Sequence, residues 1–538
     1  MKKLHKIQQV TGKLFMLGVF AVGLCFTSCS EEDIIDLQPF NQISETVAFS
    51  TPEKVELSVI GMYRAAQLGY YENPPGSGLF GYRGYPFGAA FVQQGDNRGE
   101  DVINIFAFYA ITYQTTYNPT TLNNVYYWLD TYRLINTINI VLEGVQIAAD
   151  NSVISQEKAN EYKGEALLLR AAAYNELLFH FARPYKHTAD GSHLGVPYHK
   201  RSFTTQEAID EGFATGRHTV AECYAWILED LELAEQYLPL KSQRTGNFKV
   251  SRGTKGAAAA YKARVHQHMW NMPGVITEAS KFFGSGIYAG HYALGAEPWT
   301  VFANNYGSDE YLFGMESSAT NYPSVNGALA SQYKRRFLVA HSPINWRNPF
   351  WLADDKRRDP VQMVFTNSGN IFTNKYRDDV GYTDLSPMMR FAEVVLNLAE
   401  AYARQGDVTN GLTYLNMVRN RALADPETQA YTASSFADNI ELLEAILNER
   451  RIELAMEGRR WPDIHRLQAC PHFPINGIPG KLANGYTDPA NYDLSLGPYT
   501  GPYPLAPIPY TDHRFVWPIP QLEINSNPTL AAQQNPGW

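Results

Sequence analysis

Helical periodicity constrains this chain more than any other feature. Tyr162, Ala166, Leu169, Ala173 and Leu177 fall at steps of four, three, four and four, which lines them up on one face of an α-helix. Phe391, Val395, Leu398 and Tyr402 repeat the pattern. Gly406 ends that run, and Asp407 is placed to cap a second helix through Leu412, Leu415, Val418 and Ala422. Residues 387–423 are therefore expected as a helix hairpin, with further helices over about 51–68, 120–148, 218–238, 254–270 and 436–457. Trp128, Trp226 and Trp270 fall on these helices and are expected in the core.

Ala171-Ala172-Ala173-Tyr174, Ala258-Ala259-Ala260-Tyr261 and Ala399-Glu400-Ala401-Tyr402 share one short pattern. Small residues let helices approach closely, as in tetratricopeptide-like pairs. The uneven spacing of the copies excludes a uniform solenoid and predicts a mainly α fold: a tetratricopeptide-like scaffold with long insertions. The insertions are expected at about 70–117 and 285–386, rich in aromatic residues and poor in helical pattern. The first holds 12 aromatics in 48 positions. Loops this long are usually functional or disordered, and such aromatic content disfavours disorder. A Pro/Gly-rich C-terminal segment, 471–538, must be ordered by packing on the scaffold.

The N-terminus reads as an address. Lys2, Lys3, Lys6 and Lys13 precede an uncharged run, Leu14 to Ser28, which is too short to span a membrane and has the form of a secretory signal. It ends in Phe26-Thr27-Ser28-Cys29, similar to the lipobox of a bacterial lipoprotein. Cys29 is the expected lipidated first residue, with 1–28 a signal peptide and 29–538 one mature domain. Cys25 is disfavoured by the bulky Leu24 before it, and an ordinary signal peptide cut nearby is the alternative. The cut removes four lysines and no acid, taking the net charge from −9 to −13. That balance argues against a nucleic-acid binder. No other stretch is apolar for long enough to span, so the chain is expected to be anchored to a membrane without crossing it. Cys223 and Cys470 are too few for a disulfide framework and read as buried thiols.

Motifs for chemistry are few. The sequence has no phosphate-binding Gly-x4-Gly-Lys-Ser/Thr loop and no Gly-x-Ser-x-Gly nucleophile elbow. His266 and His268 are two apart on a helix and cannot form an i,i+4 metal pair; His187, His193 and His199 share a loop that reads as a rigid turn. The pairs Glu100-Asp101, Asp354-Asp355 and Asp378-Asp379 read as solvated loop charges, since sequence neighbours rarely flank a glycosidic bond. The run Asn448-Glu449-Arg450-Arg451-Ile452-Glu453 through Glu457, Arg459, Arg460 and Asp463 alternates in sign, which predicts i,i+3 and i,i+4 ion pairs on a helix. No catalytic residue, metal site or cofactor is expected from these patterns.

Several of these segments together resemble the SusD/RagB family. They are Arg390-Phe391-Ala392-Glu393 with Leu398-Ala399-Glu400-Ala401; Leu415-Asn416 with Val418-Arg419-Asn420-Arg421-Ala422; Ile446 to Arg451 running to Glu457-Gly458-Arg459-Arg460-Trp461-Pro462-Asp463; and Trp517-Pro518-Ile519-Pro520 with Glu523 and Asn535-Pro536-Gly537. The resemblance implies a non-enzymatic lipoprotein on the outer face of the outer membrane. It would capture nutrient, usually glycan, for a SusC-type TonB-dependent transporter. The triplet Glu31-Glu32-Asp33 resembles the export signal of Bacteroidetes surface lipoproteins and agrees with that location. Some relatives carry structural calcium. Peptide is the alternative cargo, and a surface glycoside hydrolase the alternative activity.

The family's ligand loops vary, so site residues must come from chemistry. A sugar ring has apolar C–H faces and a rim of hydroxyls, which suit an exposed aromatic face beside Asn, Asp, Gln or Arg. In the first insertion these are Tyr82, Arg83 and Tyr85 with Asp96, Asn97 and Arg98; in the second, Trp299, Tyr306, Tyr322, Trp346 and Arg347. The bland reading is that a given Trp is core and that Asp96 with Arg98 merely fixes the loop.

Overall fold

The computed structural model describes residues 45–72, 81–321 and 323–538. Cys29 with its signal segment, and Tyr322, lie outside the described residues.

The scaffold is mainly helical. α1 (Pro52–Leu68) is capped by Thr51, whose hydroxyl accepts the Lys54 N–H. α2 (Ala89–Asn97), the long pair α3 (Leu122–Asp150) and α4 (Gln156–Phe181), and the short α5 (Gln206–Ala214) follow. α6 (Val220–Tyr237) opens on a capping box of Thr219 and Glu222, so two otherwise orphaned N–H groups are met reciprocally. α7 (Lys255–His268), α8 (Met272–Ala279), α9 (Phe391–Arg404), α10 (Val408–Arg419), α11 (Asn439–Glu453) and α12 (Arg460–Arg466) complete the frame. Successive members pack side by side: α3 on α4, α4 on α6, α6 on α7, α7 on α8, and α9 on both α10 and α11. This is the tetratricopeptide-like scaffold expected. Asp407 caps α10 through the Asn410 N–H, and Gly406 at φ 81° ends the preceding helix.

The Ala-x-Ala-Tyr segments explain how the stack closes. Ala171, Ala172, Ala173 and Tyr174 on α4, and Ala258 to Tyr261 on α7, are all buried, so these helices are covered on every side. Tyr174 lies flat on Tyr198, ring centroids 3.7 Å apart. Cys223 and Cys470 are buried and unpaired, and burial pushes the Cys223 thiol up to about 12.

The insertions are more regular than their sequences suggest. The first holds α2, buried along its whole length, and strand β1 (Val102–Asn104). β1 pairs antiparallel with β3 (Val339–His341) of the second insertion, Val102 opposite His341, so the two insertions brace each other. β2 (Tyr311–Met315) pairs with β6 (Ser386–Arg390), which occupies the residues expected to begin the 387–423 hairpin. β4 (Val364–Asn367) and β5 (Asn370–Thr373) form a small hairpin. The C-terminal segment is tied by bridges Ile478–Ile508 and Lys481–Leu505.

The charged run also differs from expectation. Its ion pairs reach across the fold rather than along one helix. Glu449 meets Arg357 and Arg419; Glu453 meets Arg357, Arg390 and Arg421; Glu457 meets Arg390 and Lys375. Glu100 and Asp101, expected as solvated charges, are buried against Arg451 and Arg460. Buried charges need such partners, and the run supplies them between scaffold and insertions.

Candidate functional site

Most residues expected to hold ligand are framework instead. Asp96 is buried on α2, accepting the Tyr333 hydroxyl at 2.5 Å and the Gly458 N–H at 2.8 Å. Arg98 is buried with its guanidinium 3.4 Å from the Trp461 ring centre, donating to the Phe515 carbonyl. Asn97 is buried and gives its backbone carbonyl to Lys481. Tyr85 is 0% exposed, its hydroxyl 3.3 Å from Asn123. Trp346 is 7% exposed, packed on Trp351 under the Arg358 guanidinium; Trp299 and Tyr306 pack against the same small core. Tyr306 is further fixed by donating to the Ser317 carbonyl. Arg347 closes a turn by donating to the carbonyls of Leu496, Gly497 and Pro498. Trp299 and Tyr306 are only partly buried, but the other side chains have little or no outer face to give a ligand, because the polar and aromatic mixture that suits a sugar also suits a core that joins insertion to scaffold.

Tyr82 and Arg83 are different. The chain leaves α1 through Gly69 and returns at 81–83, where Tyr82 takes a positive φ of 38°. Ser324 of the second insertion fastens this turn by donating to the carbonyls of Gly81 and Tyr82. Arg83 lies between two rings, 4.3 Å from the centre of Tyr71 and 4.7 Å from that of Phe108. Arg336 reaches the same Phe108 ring at 5.0 Å and donates to Asn326 at 2.8 Å. Arg64, on α1, donates to Asn321 at the near end of this segment. Beyond Phe108, Phe106 (46% exposed) meets Tyr486 (44% exposed) edge to face at 5.9 Å.

The result is an open face built by both insertions and held in register by β1 and β3. It offers ring surfaces, amides and guanidinium donors to something laid across it. Phe106, Phe108, Asn326 and Arg336 were not singled out in the sequence. The alternation Phe106-Ala107-Phe108, which breaks the helical period inside an aromatic-rich insertion, was the available signal.

A second concavity lies on the other side of residues 69–72. It measures about 710 Å³, within the usual range for ligand cavities. One stripe of α3, Trp128, Tyr132 and Asn136, forms a wall with His199 and Phe203; α5 and the C-terminal residues Glu523 and Asn527 close it. Burial, helped by His218, holds the His199 imidazole down to about 4, so it is neutral at pH 7. Burial raises the Glu523 carboxyl. The cavity suits a small molecule or a chain end; the open face suits a long chain continuing in both directions. Among the described residues no cluster of three or more His, Cys, Asp or Glu side chains could hold a metal ion.

Comparison with known proteins fits this architecture. Residues 360–538 match the model of the family described as SusD family, and residues 93–266 match one described as starch-binding associating with outer membrane. The chain belongs to the SusD/RagB family. It is similar to a solved SusD superfamily protein from Bacteroides fragilis, 26% identical with a TM-score of 0.71, covering 90% of this chain and 99% of that one. A solved SusD-like carbohydrate binding protein from Bacteroides vulgatus, 20% identical, shares the fold at a TM-score of 0.67 over 90% of this chain and 98% of its own. The SusD-like protein P2 of Formosa agariphila is 24% identical over 458 residues, 77% of this chain and 80% of that protein. Within this SusD/RagB chain the matched segments hold most of the scaffold together with Phe106, Phe108 and Tyr486 of the open face, whereas Arg64, Tyr82, Arg83 and residues 321–336 fall outside them. Among the described residues no helix is long and apolar enough to cross a membrane.

Proposed function

We propose that this protein is a non-catalytic, lipid-anchored glycan-binding protein of the outer cell surface. It holds oligo- or polysaccharide on the open face and passes it to a SusC-type TonB-dependent outer-membrane transporter. The observation that carries the reading is the face itself, where Tyr82, Phe106 and Phe108 stand beside Arg83, Arg336 and Asn326. Ring faces match the apolar C–H faces of sugars, and fixed donors match their oxygens. The description of one matching family model as starch-binding associating with outer membrane, and the carbohydrate-binding neighbour, support the cargo class and the location. A mature chain led by a lipidated Cys29 supplies the anchor.

A glycan array probed with residues 30–538, followed by chromatography of the recovered glycans, tests the reading. Retention of one glycan class with the glycan returned intact is the expected result. No retained glycan, or hydrolysed product, would replace capture by another cargo or by catalysis.

A further inference from the structure

The open face differs from the rest of the molecule in how its arginines are satisfied. Over most of the fold, arginines are ion-paired, as the Arg357, Arg390 and Arg450 clusters show. Several that are not, such as Arg217, Arg347 and Arg358, close backbone carbonyls inside the protein. Arg64, Arg83 and Arg336 follow neither pattern, and Arg335 reaches a backbone carbonyl only through one long bond, to Asp379 at 3.4 Å. Among the described residues none of the four has a carboxylate within 4.0 Å. Arg64 meets Asn321; Arg83 lies between the rings of Tyr71 and Phe108; Arg336 meets Asn326 and Phe108. Arg335, exposed, meets the Tyr382 hydroxyl at 2.8 Å.

The nearby acids are already engaged. Asp378 caps its own turn through the Gly381 and Thr383 N–H groups, Asp384 accepts from the Arg377 and Asp378 N–H groups, and Asp379 lies 3.9 Å from Lys334. Four guanidinium groups thus lie around residues 321–336 without a direct ion pair, in a chain whose net charge is −9. Side-chain amides, a phenol and aromatic faces orient a guanidinium without neutralising it. A planar cation held this way is suited to a bidentate hydrogen bond with an oxyanion.

We propose that the glycan taken by this face is an anionic polysaccharide, its carboxylate or sulfate groups meeting Arg64, Arg83, Arg335 and Arg336 while its ring faces lie on Tyr82, Phe106 and Phe108. The inference rests on the glycan reading above and narrows its cargo. The overall negative charge of the chain repels polyanions in general, so the local arginine cluster selects one approach direction.

The test is native electrophoresis of residues 30–538 through gels cast with polygalacturonate, with carrageenan, with neutral starch or dextran, and with poly-glutamate as a charge-only control. Retardation by polygalacturonate or carrageenan, at least tenfold weaker in Arg335→Gln and in Arg83→Gln/Arg336→Gln and declining with added salt, is expected. Which of the two acts tells carboxylate from sulfate. Arg335 is exposed, so its variant tests the idea even if the Arg83 variant folds poorly. Retardation by neutral polysaccharide alone would overturn the inference and leave the glycan reading standing. Equal retardation by poly-glutamate, or indifference to all the arginine variants, would overturn it too. No retardation by any polysaccharide would remove both.

Discussion

At the scale of single residues, polar side chains in this fold divide by whether burial has been compensated. Arg390 is buried among Glu310, Glu453 and Glu457, donating to them at 2.5 to 3.2 Å. Arg390→Ala takes one cation from three buried carboxylates and leaves them only Arg357, Arg421 and Lys375, and should destabilise the protein by about 3–5 kcal/mol in denaturant unfolding. Asp130 is the opposite case. It is buried on α3 with no well-formed hydrogen bond to either carboxylate oxygen among the described residues, and burial pushes it up from 3.8 to about 7. A carboxyl so raised keeps a proton in the folded state that the unfolded chain has shed. Its effect on stability therefore worsens as pH climbs from about 4 towards 7, and stays unfavourable above that. Asp130→Asn should gain about 1–3 kcal/mol over the wild type at pH 8 and little at pH 4, read from unfolding midpoints at the two pH values. A gain that did not grow with pH would assign the Asp130 carboxyl an ordinary pKa.

At the scale of elements, what was legible in the sequence followed from exposure. α1 and α10 each keep a wet side, so their period could be read directly, whereas α9 is buried almost throughout and was legible from its run of apolar residues and the Gly406 that follows it. α2 was not legible. Three of its polar residues find partners inside the protein, Gln94 accepting from Thr112, Gln93 donating to Gln332 and Asp96 accepting from Tyr333 and Gly458. A helix covered on all sides shows no amphipathic stripe, and its Gln, Asp and Asn look like loop or ligand residues. The close approach of α2 to the turn at Gly458 adds to the disguise. A Cβ on Gly95 would stand 2.2 Å from the Gly458 carbonyl oxygen, so a glycine that reads as a helix breaker is the residue that lets the helix pack. For the same reason Trp346 and Trp299 looked like platforms, whereas Phe108, placed between two arginines, went unmarked. The two classes separate by experiment. Trp346→Ala should cost about 3–5 kcal/mol of stability and leave the glycan affinity of the folded protein unchanged. Phe108→Ala should cost about 1–3 kcal/mol of binding, measured by calorimetry with the retained glycan, with a smaller change in stability. The reverse pattern would return the site to Trp346.

At the scale of the whole molecule, the C-terminal segment closes on the scaffold while the two insertions meet to make a face. Trp517 donates its N–H to the His180 carbonyl at the end of α4, and Asn535 bridges the carbonyls of Phe181 and Trp517. The closing segment that resembles the family is thus a latch on the helix stack, which is why it was readable and why it says nothing of cargo. The face, by contrast, is assembled from segments more than 200 residues apart, joined by β1–β3 and by Ser324 on the 81–82 turn. No local pattern encodes such a juxtaposition. Hydrogen–deuterium exchange of residues 30–538, with and without the retained glycan, locates the binding face. Slowed exchange confined to residues 81–83, 106–111 and 324–337 is expected. Protection instead at 128–137 and 199–213, around the 710 Å³ cavity, would contradict this placement and move the binding site to the other side of residues 69–72.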